Sequence, residues 1–150
     1  MIKHVLALCA AATLSSAALA QVTVSDAWLR ATVPVQKTAG AYLTLQSVQA
    51  ARLVGATSPL AGRVEMHQME MSGQTMKMKA VDGIDLPAGR KVDLAHAGYH
   101  LMFLELKGQL KEGDTVPVTL TVEDAAHQRA SMIVNVPVKP IGYAAPGMRH

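Results

Sequence analysis

The 150-residue chain has one cysteine, one tryptophan and one phenylalanine, and aromatic side chains make up 3% of it. The cysteine, Cys9, falls within a leader-like segment. Lys3 supplies a short basic start, Val5 to Leu14 is apolar, and Ala18-Leu19-Ala20 is a small-x-small cleavage signal. Residues 1–20 therefore read as a cleaved secretory signal, and bulky Leu8 before Cys9 argues against lipid attachment there. The apolar run falls short of the about 20 residues that a membrane span requires, so no stable membrane insertion is expected after cleavage. The expected mature chain, Gln21 to His150, then has no cysteine at all. That excludes a disulfide, a thiolate nucleophile, a zinc-thiolate site and a blue-copper site, which needs a Cys ligand.

Charge of one sign is also missing. Fourteen Lys and Arg, less Lys3, leave 13 basic against 11 acidic side chains, a formal charge of +2. These charges are dispersed, and few aromatics are available to stack on bases, so nucleic acid is not an expected partner. No G-x-S-x-G elbow, P-loop or dinucleotide glycine fingerprint occurs, and no carboxylate pair is spaced for acid–base work. The chain is not expected to be an enzyme.

What is present is alternation. Short β-branched or alternating runs occupy Val22–Trp28, Ala41–Val48, Arg52–Ser58, Arg63–Met69, Met76–Val81, Lys91–Leu94, Tyr99–Leu106, Thr115–Val122 and Ser131–Val138. Turn signals separate them, including Ser58-Pro59, Ser72-Gly73, Pro87-Ala88-Gly89, Ala97-Gly98 and Glu112-Gly113-Asp114. Nine such runs at close spacing predict one all-β sandwich or barrel over residues 21–138. Residues 139–150, "KPIGYAAPGMRH", read as a flexible tail that carries Met148 and His150.

Two clusters stand out on this frame. "EMHQMEMSGQTMKMK", Glu65 to Lys79, holds five of the nine methionines. Alternate strand residues share a face, so Glu65, His67, Met69 and Met71 lie on one side, and Met76, Met78 and Ala80 share a side after the turn. A hairpin through Ser72-Gly73 brings His67 near Met76 or Met78. Lys77 and Lys79 make the opposite face wet, and the methionines then face either the core or a site. In "HAGYHLMF", His100 and Met102 are two apart, about 6.5 to 7 Å between their Cβ atoms, while Tyr99, Leu101 and Phe103 point toward a core. His96, before the Gly98 turn, is poorly placed to join that face, and His127 sits in a polar turn. Thioether sulfur is soft and neutral and selects Cu(I), with imidazole a compatible second donor. Calcium and magnesium prefer oxygen, and zinc usually adds Cys or a carboxylate. Together, in an exported chain without cysteine, the clusters favour Cu(I) over packing methionines.

The spacing goes further. Ten residues separate His67 from Met78, twenty-one separate Met78 from His100, and Met102 completes a His-x-Met. This pattern, with "DAWLRATVP", "AGAYLTL", "GIDLPAG" and "LKEGDTVPVTLT" around it, resembles the periplasmic PCu(A)C-type copper chaperone family. The resemblance covers nearly the whole expected mature chain. It implies a cupredoxin-like Greek-key β-sandwich that binds Cu(I) at an exposed site through His67, Met78, His100 and Met102. It also implies a periplasmic metallochaperone that delivers copper toward the CuA centre of cytochrome c oxidase, with an oxidase subunit or a Sco-type thiol chaperone as partner. Met69, Met71 and Met76 have no assigned role in that motif, and Met148 and His150 offer little for a second strong site. The alternative is periplasmic copper sequestration, or tolerance, without a delivery partner.

Overall fold

The computed structural model describes residues 21–146; residues 1–20, read above as a secretory signal, and Met148 and His150 lie outside the described residues. Ten strands follow one another: β1 (Val22–Arg30), β2 (Ala39–Ser47), β3 (Ala51–Thr57), β4 (Ala61–Ser72), β5 (Thr75–Val81), β6 (Ile84–Leu86), β7 (Lys91–Asp93), β8 (Tyr99–Leu106), β9 (Thr115–Asp124) and β10 (Arg129–Lys139). Nine of them fall on the runs read from alternation. The tenth, β6, has three residues, too few for alternation to register, yet Ile84 and Leu86 are buried in the core.

Seven strands close on themselves in the order β4-β8-β2-β1-β10-β9-β3, with Ala56 on β3 pairing with Val64 on β4 to complete the ring. The result is the all-β, barrel-like sandwich expected from the strand spacing. β5 extends the sheet beyond β4, β6 beyond β3, and β7 pairs with β2. The β1–β10 pairing, Leu29 opposite Val138, is parallel, and the others among the described strands are antiparallel. Inside, Leu29, Leu43, Leu53, Phe103, Leu120 and Val136 lose essentially all exposure to water. In β9 the inward residues Val116, Val118, Leu120 and Val122 alternate with more accessible ones, as a strand with one buried face must.

One irregularity decides what lies on the outside of this wall. Ser25 pairs with Thr44, but Trp28 pairs with Tyr42, so β1 carries one extra residue at the Asp26–Ala27 bulge. Asp26 adopts a left-handed φ of 52° there. The side-chain period is two, so one inserted residue reverses the parity of the strand. Val22 and Val24 face the core before the bulge, and Leu29 faces it afterwards. Trp28 is thereby turned outward onto Tyr42, with ring centroids 4.8 Å apart. Tyr143, just past β10, packs edge-on against Trp28 at 4.9 Å, and its carbonyl accepts a 2.7 Å hydrogen bond from Arg30 Nε. An aromatic layer thus covers part of the outer face of β1 and β2.

Candidate metal centre

β4 and β8 pair so that His67 lies opposite His100 and Glu65 opposite Met102. On its other edge, β4 pairs with β5, which sets Met78 opposite Met69 and Ala80 opposite His67. These registers bring Glu65, His67, Met69, Met71, Met76, Met78, His100 and Met102 to a single outer face. Of the four motif residues, His67 directly faces His100, and Met78 and Met102 each stand one diagonal step from His67. Cross-strand diagonals of this kind lie within reach of long side chains. The turn that makes the β5 register possible is Gly73-Gln74. Gly73, with φ 64°, takes the first central position of a two-residue hairpin.

The face grades from buried to wet. His100 retains 1% of its exposure, the His67 side chain 15%, and Met78 57%. His100 is covered by residues far away in the chain. Its ring lies 5.4 Å from that of His67 and 6.0 Å from Tyr42, which is itself stacked on Trp28. Gly40 sits opposite Met102, and a Cβ there would reach 3.9 Å from the His100 ring and 3.8 Å from the Tyr42 hydroxyl.

The polar atoms of this face are incompletely satisfied. Among the described residues, three buried side-chain nitrogens or oxygens lack a hydrogen-bond partner: His67 Nδ1, His100 Nδ1 and His100 Nε2. Burying an unpaired polar group costs about 1–3 kcal/mol each, so a plain sandwich wall gains nothing from this arrangement. His67 Nε2–H donates to Glu65 Oε2 at 2.8 Å, while Glu65 Oε1 meets Arg63 at 3.1 Å. An ionised carboxylate only accepts, so the proton is held on Nε2 and a lone pair is left on Nδ1. The hydrogen bond from His67, aided by the Arg63 charge, keeps the Glu65 carboxyl below its ordinary value and therefore ionised. Each neutral ring then keeps one lone pair without a hydrogen-bond donor, on the face that also carries the Met78 and Met102 thioethers. That donor set suits a soft cation. Among the described residues no three His, Cys, Asp or Glu side chains group as metal ligands; the further donors on this face are methionine sulfurs.

Other sequence expectations sort as follows. His96 is exposed in the turn before β8 and bonds Asp93 at 2.6 Å, apart from His100, and His127 is exposed with a 3.2 Å contact to Glu123. Of the methionines in the hairpin, Met66 alone enters the core, and Met71, Met76 and Met78 are exposed rather than packed. The exposed site implied by the resemblance applies to Met78 but not to His100. Tyr42 and Gly40 were not legible as neighbours of the histidines. Alternation in "AGAYLTL" puts them on one face, but it says nothing of β2 lying beside β8.

Burial, and next the charge of His67, push the His100 pKa below its ordinary 6.5. The folded state therefore binds fewer protons at His100 than the unfolded chain does, and stability rises with pH across this transition. Lowering the pH from 7.5 through 6.5 to 5.5 should reduce the metal-free protein's urea midpoint. The carboxylates with depressed values, Glu65, Asp82 and Glu123, titrate below that window. His100→Gln should flatten the dependence, and an equally steep profile in that variant would refute the assignment.

A family model described as "Putative lipoprotein LpqE-like" matches residues 22–138. "Putative lipoprotein Lxx21020" of Leifsonia xyli subsp. xyli (strain CTCB07) is 33% identical over 119 residues, spanning 79% of this chain and 69% of that protein. The solution structure of CuI-DR1885 from Deinococcus radiodurans is 32% identical and superposes with a TM-score of 0.60, covering 87% of this chain and 85% of that one. The copper-bound PCuAC domain from PmoF2 superposes at 0.64 with 21% identity, over 80% and 93% of the two chains, a likeness of fold. The chain belongs to the LpqE-like family and shares with PCuAC domains a cupredoxin-like β-sandwich.

Proposed function

We propose that the protein is an exported Cu(I) carrier of the periplasm that binds copper through His67, Met78, His100 and Met102 and hands it toward the CuA centre of cytochrome c oxidase. The observation that carries this reading is the set of three unpartnered, buried imidazole nitrogens on one face with Met78 and Met102. A 32%-identical relative is known in a Cu(I) form, and the name lipoprotein carried by another relative fits export.

The residues divide the work. His67 offers Nδ1 because Glu65 holds its other nitrogen, and His100 is fixed by Tyr42 and His67 around its ring. Two neutral imidazoles and two neutral thioethers suit a monovalent ion, bind it without releasing a thiol proton, and form no disulfide in an oxidising compartment. Met78, the most exposed of the four, is the first to be exchanged. A partner that presents thiolates, such as a Sco-type chaperone or the CuA-bearing oxidase subunit, is the stronger donor for Cu(I) and draws the ion away one ligand at a time. Holding and release of this kind need no catalysis, and we assign the protein no enzymatic reaction.

Titration of the mature protein should reach one tightly bound Cu(I), with X-ray absorption reporting mixed nitrogen and sulfur neighbours. Stoichiometric binding that persists in a His100→Ala/Met102→Ala variant would sink the site assignment. Replacing Glu65 by Gln removes the fixed tautomer of His67, and Cu(I) affinity should fall by about 10–100-fold, the usual effect of losing a group that orients a ligand. Competition with a chromogenic Cu(I) chelator measures it. Deleting the gene separates delivery from sequestration: delivery predicts lost oxidase activity at low copper, whereas normal oxidase with poor survival at high copper would establish the tolerance role instead.

A further inference from the structure

The carrier role leaves the outer half of the β4–β5 hairpin unexplained. Met71 pairs directly with Met76, one rung outward from the pair Met69–Met78. The pairing of β4 with β8 ends near Gln68 and Tyr99, with a last 2.7 Å hydrogen bond from the Met69 amide to the Gly98 carbonyl. Beyond that point the hairpin is a two-stranded ribbon without a core to fill. Yet Met71, Met76 and Met78 are three of the eight large hydrophobic side chains that are exposed among the described residues, at 62%, 56% and 57%. Exposed apolar groups gathered on one small face call for a role, and packing is not it here.

We propose that Met71 and Met76 form a second, solvent-exposed thioether site for Cu(I), a station through which the ion enters and leaves the four-residue site. This rests on the copper reading above. Directly opposed strand residues have Cβ atoms about 4.5–5.5 Å apart, and methionine has three rotatable bonds to close two sulfurs on one ion. The next rung lies about 6.5–7 Å along the strand, so Met78 can take hold before Met76 lets go. From there His67 is one diagonal step away. The ligands are neutral and the copper stays Cu(I) throughout: one copper–sulfur bond forms as another breaks, and no proton or electron moves. Two thioethers without an imidazole bind more weakly than two imidazoles with two thioethers, which suits transit rather than storage. On the opposite face of the same strands stand Gln68, Glu70, Lys77 and Lys79, none of them a soft donor.

The test uses the mature protein with carbon-13-labelled methionine methyls and Ag(I), a redox-inert soft monovalent cation. The first equivalent should shift the Met78 and Met102 methyls, and the second those of Met71 and Met76. In a Met71→Leu/Met76→Leu variant the affinity for the first Cu(I) should be unchanged, while stopped-flow transfer to a thiolate chelator slows by about tenfold. Met71 and Met76 methyls that stay in place at two equivalents, or a variant that transfers as fast as the parent, overturn the proposal. Shifts at Met71 and Met76 without any at Met78 and Met102 would support the exposed pair and refute the four-residue site.

Discussion

The register between β4 and β8 is the constraint on which the rest depends. It places His67 opposite His100 and Glu65 opposite Met102. Slipping one strand by a single residue would turn His67 toward the core and expose Met66. That slip is opposed by Val64, Met66, Leu101 and Phe103, which pack on the core from the inner face of the same two strands. The hydrophobic burial that stabilises the barrel therefore also sets the convergence of the donors, and no separate device is required to align them.

Stability and binding pull against each other on the outer face. Hiding three imidazole nitrogens without partners costs the metal-free fold free energy. The cost is tolerated because the neutral rings still pack: His100 on Tyr42, Tyr42 on Trp28, and Trp28 under Tyr143. The layer exists because the bulge at Asp26 turns Trp28 outward. A cation that accepts one lone pair from each ring recovers part of the cost, so folding and metal binding are linked.

Much of this was legible in the sequence, and the exceptions have a common cause. Alternation located nine strands, and the family resemblance carried by the His-Met spacing pointed to His67, Met78, His100 and Met102, on strands that the structure places side by side. What could not be read was anything that depends on which strands are neighbours or on broken parity. Extrapolating from Val22 and Val24 would point Trp28 into the core; the extra residue at Asp26 reverses it, and no local signal marks it. Burial of His100 comes from Tyr42, nearly sixty positions earlier in the chain, and the Glu65–His67 bond requires a rotamer as well as a shared face. The hairpin methionines posed a choice between core and ligand, and a ribbon that leaves the barrel altogether is a third arrangement which hydrophobicity alone does not suggest.

β5 also ends the sheet. Its outward backbone groups are unpaired within the described chain, and an exposed apolar edge of this kind invites a second copy to add its own strand. Lys77 and Lys79 alternate with the methionines along that edge, so copies meeting edge to edge would bring ammonium groups together. The lysines thus let a strand keep its thioethers in water while discouraging it from seeding aggregates.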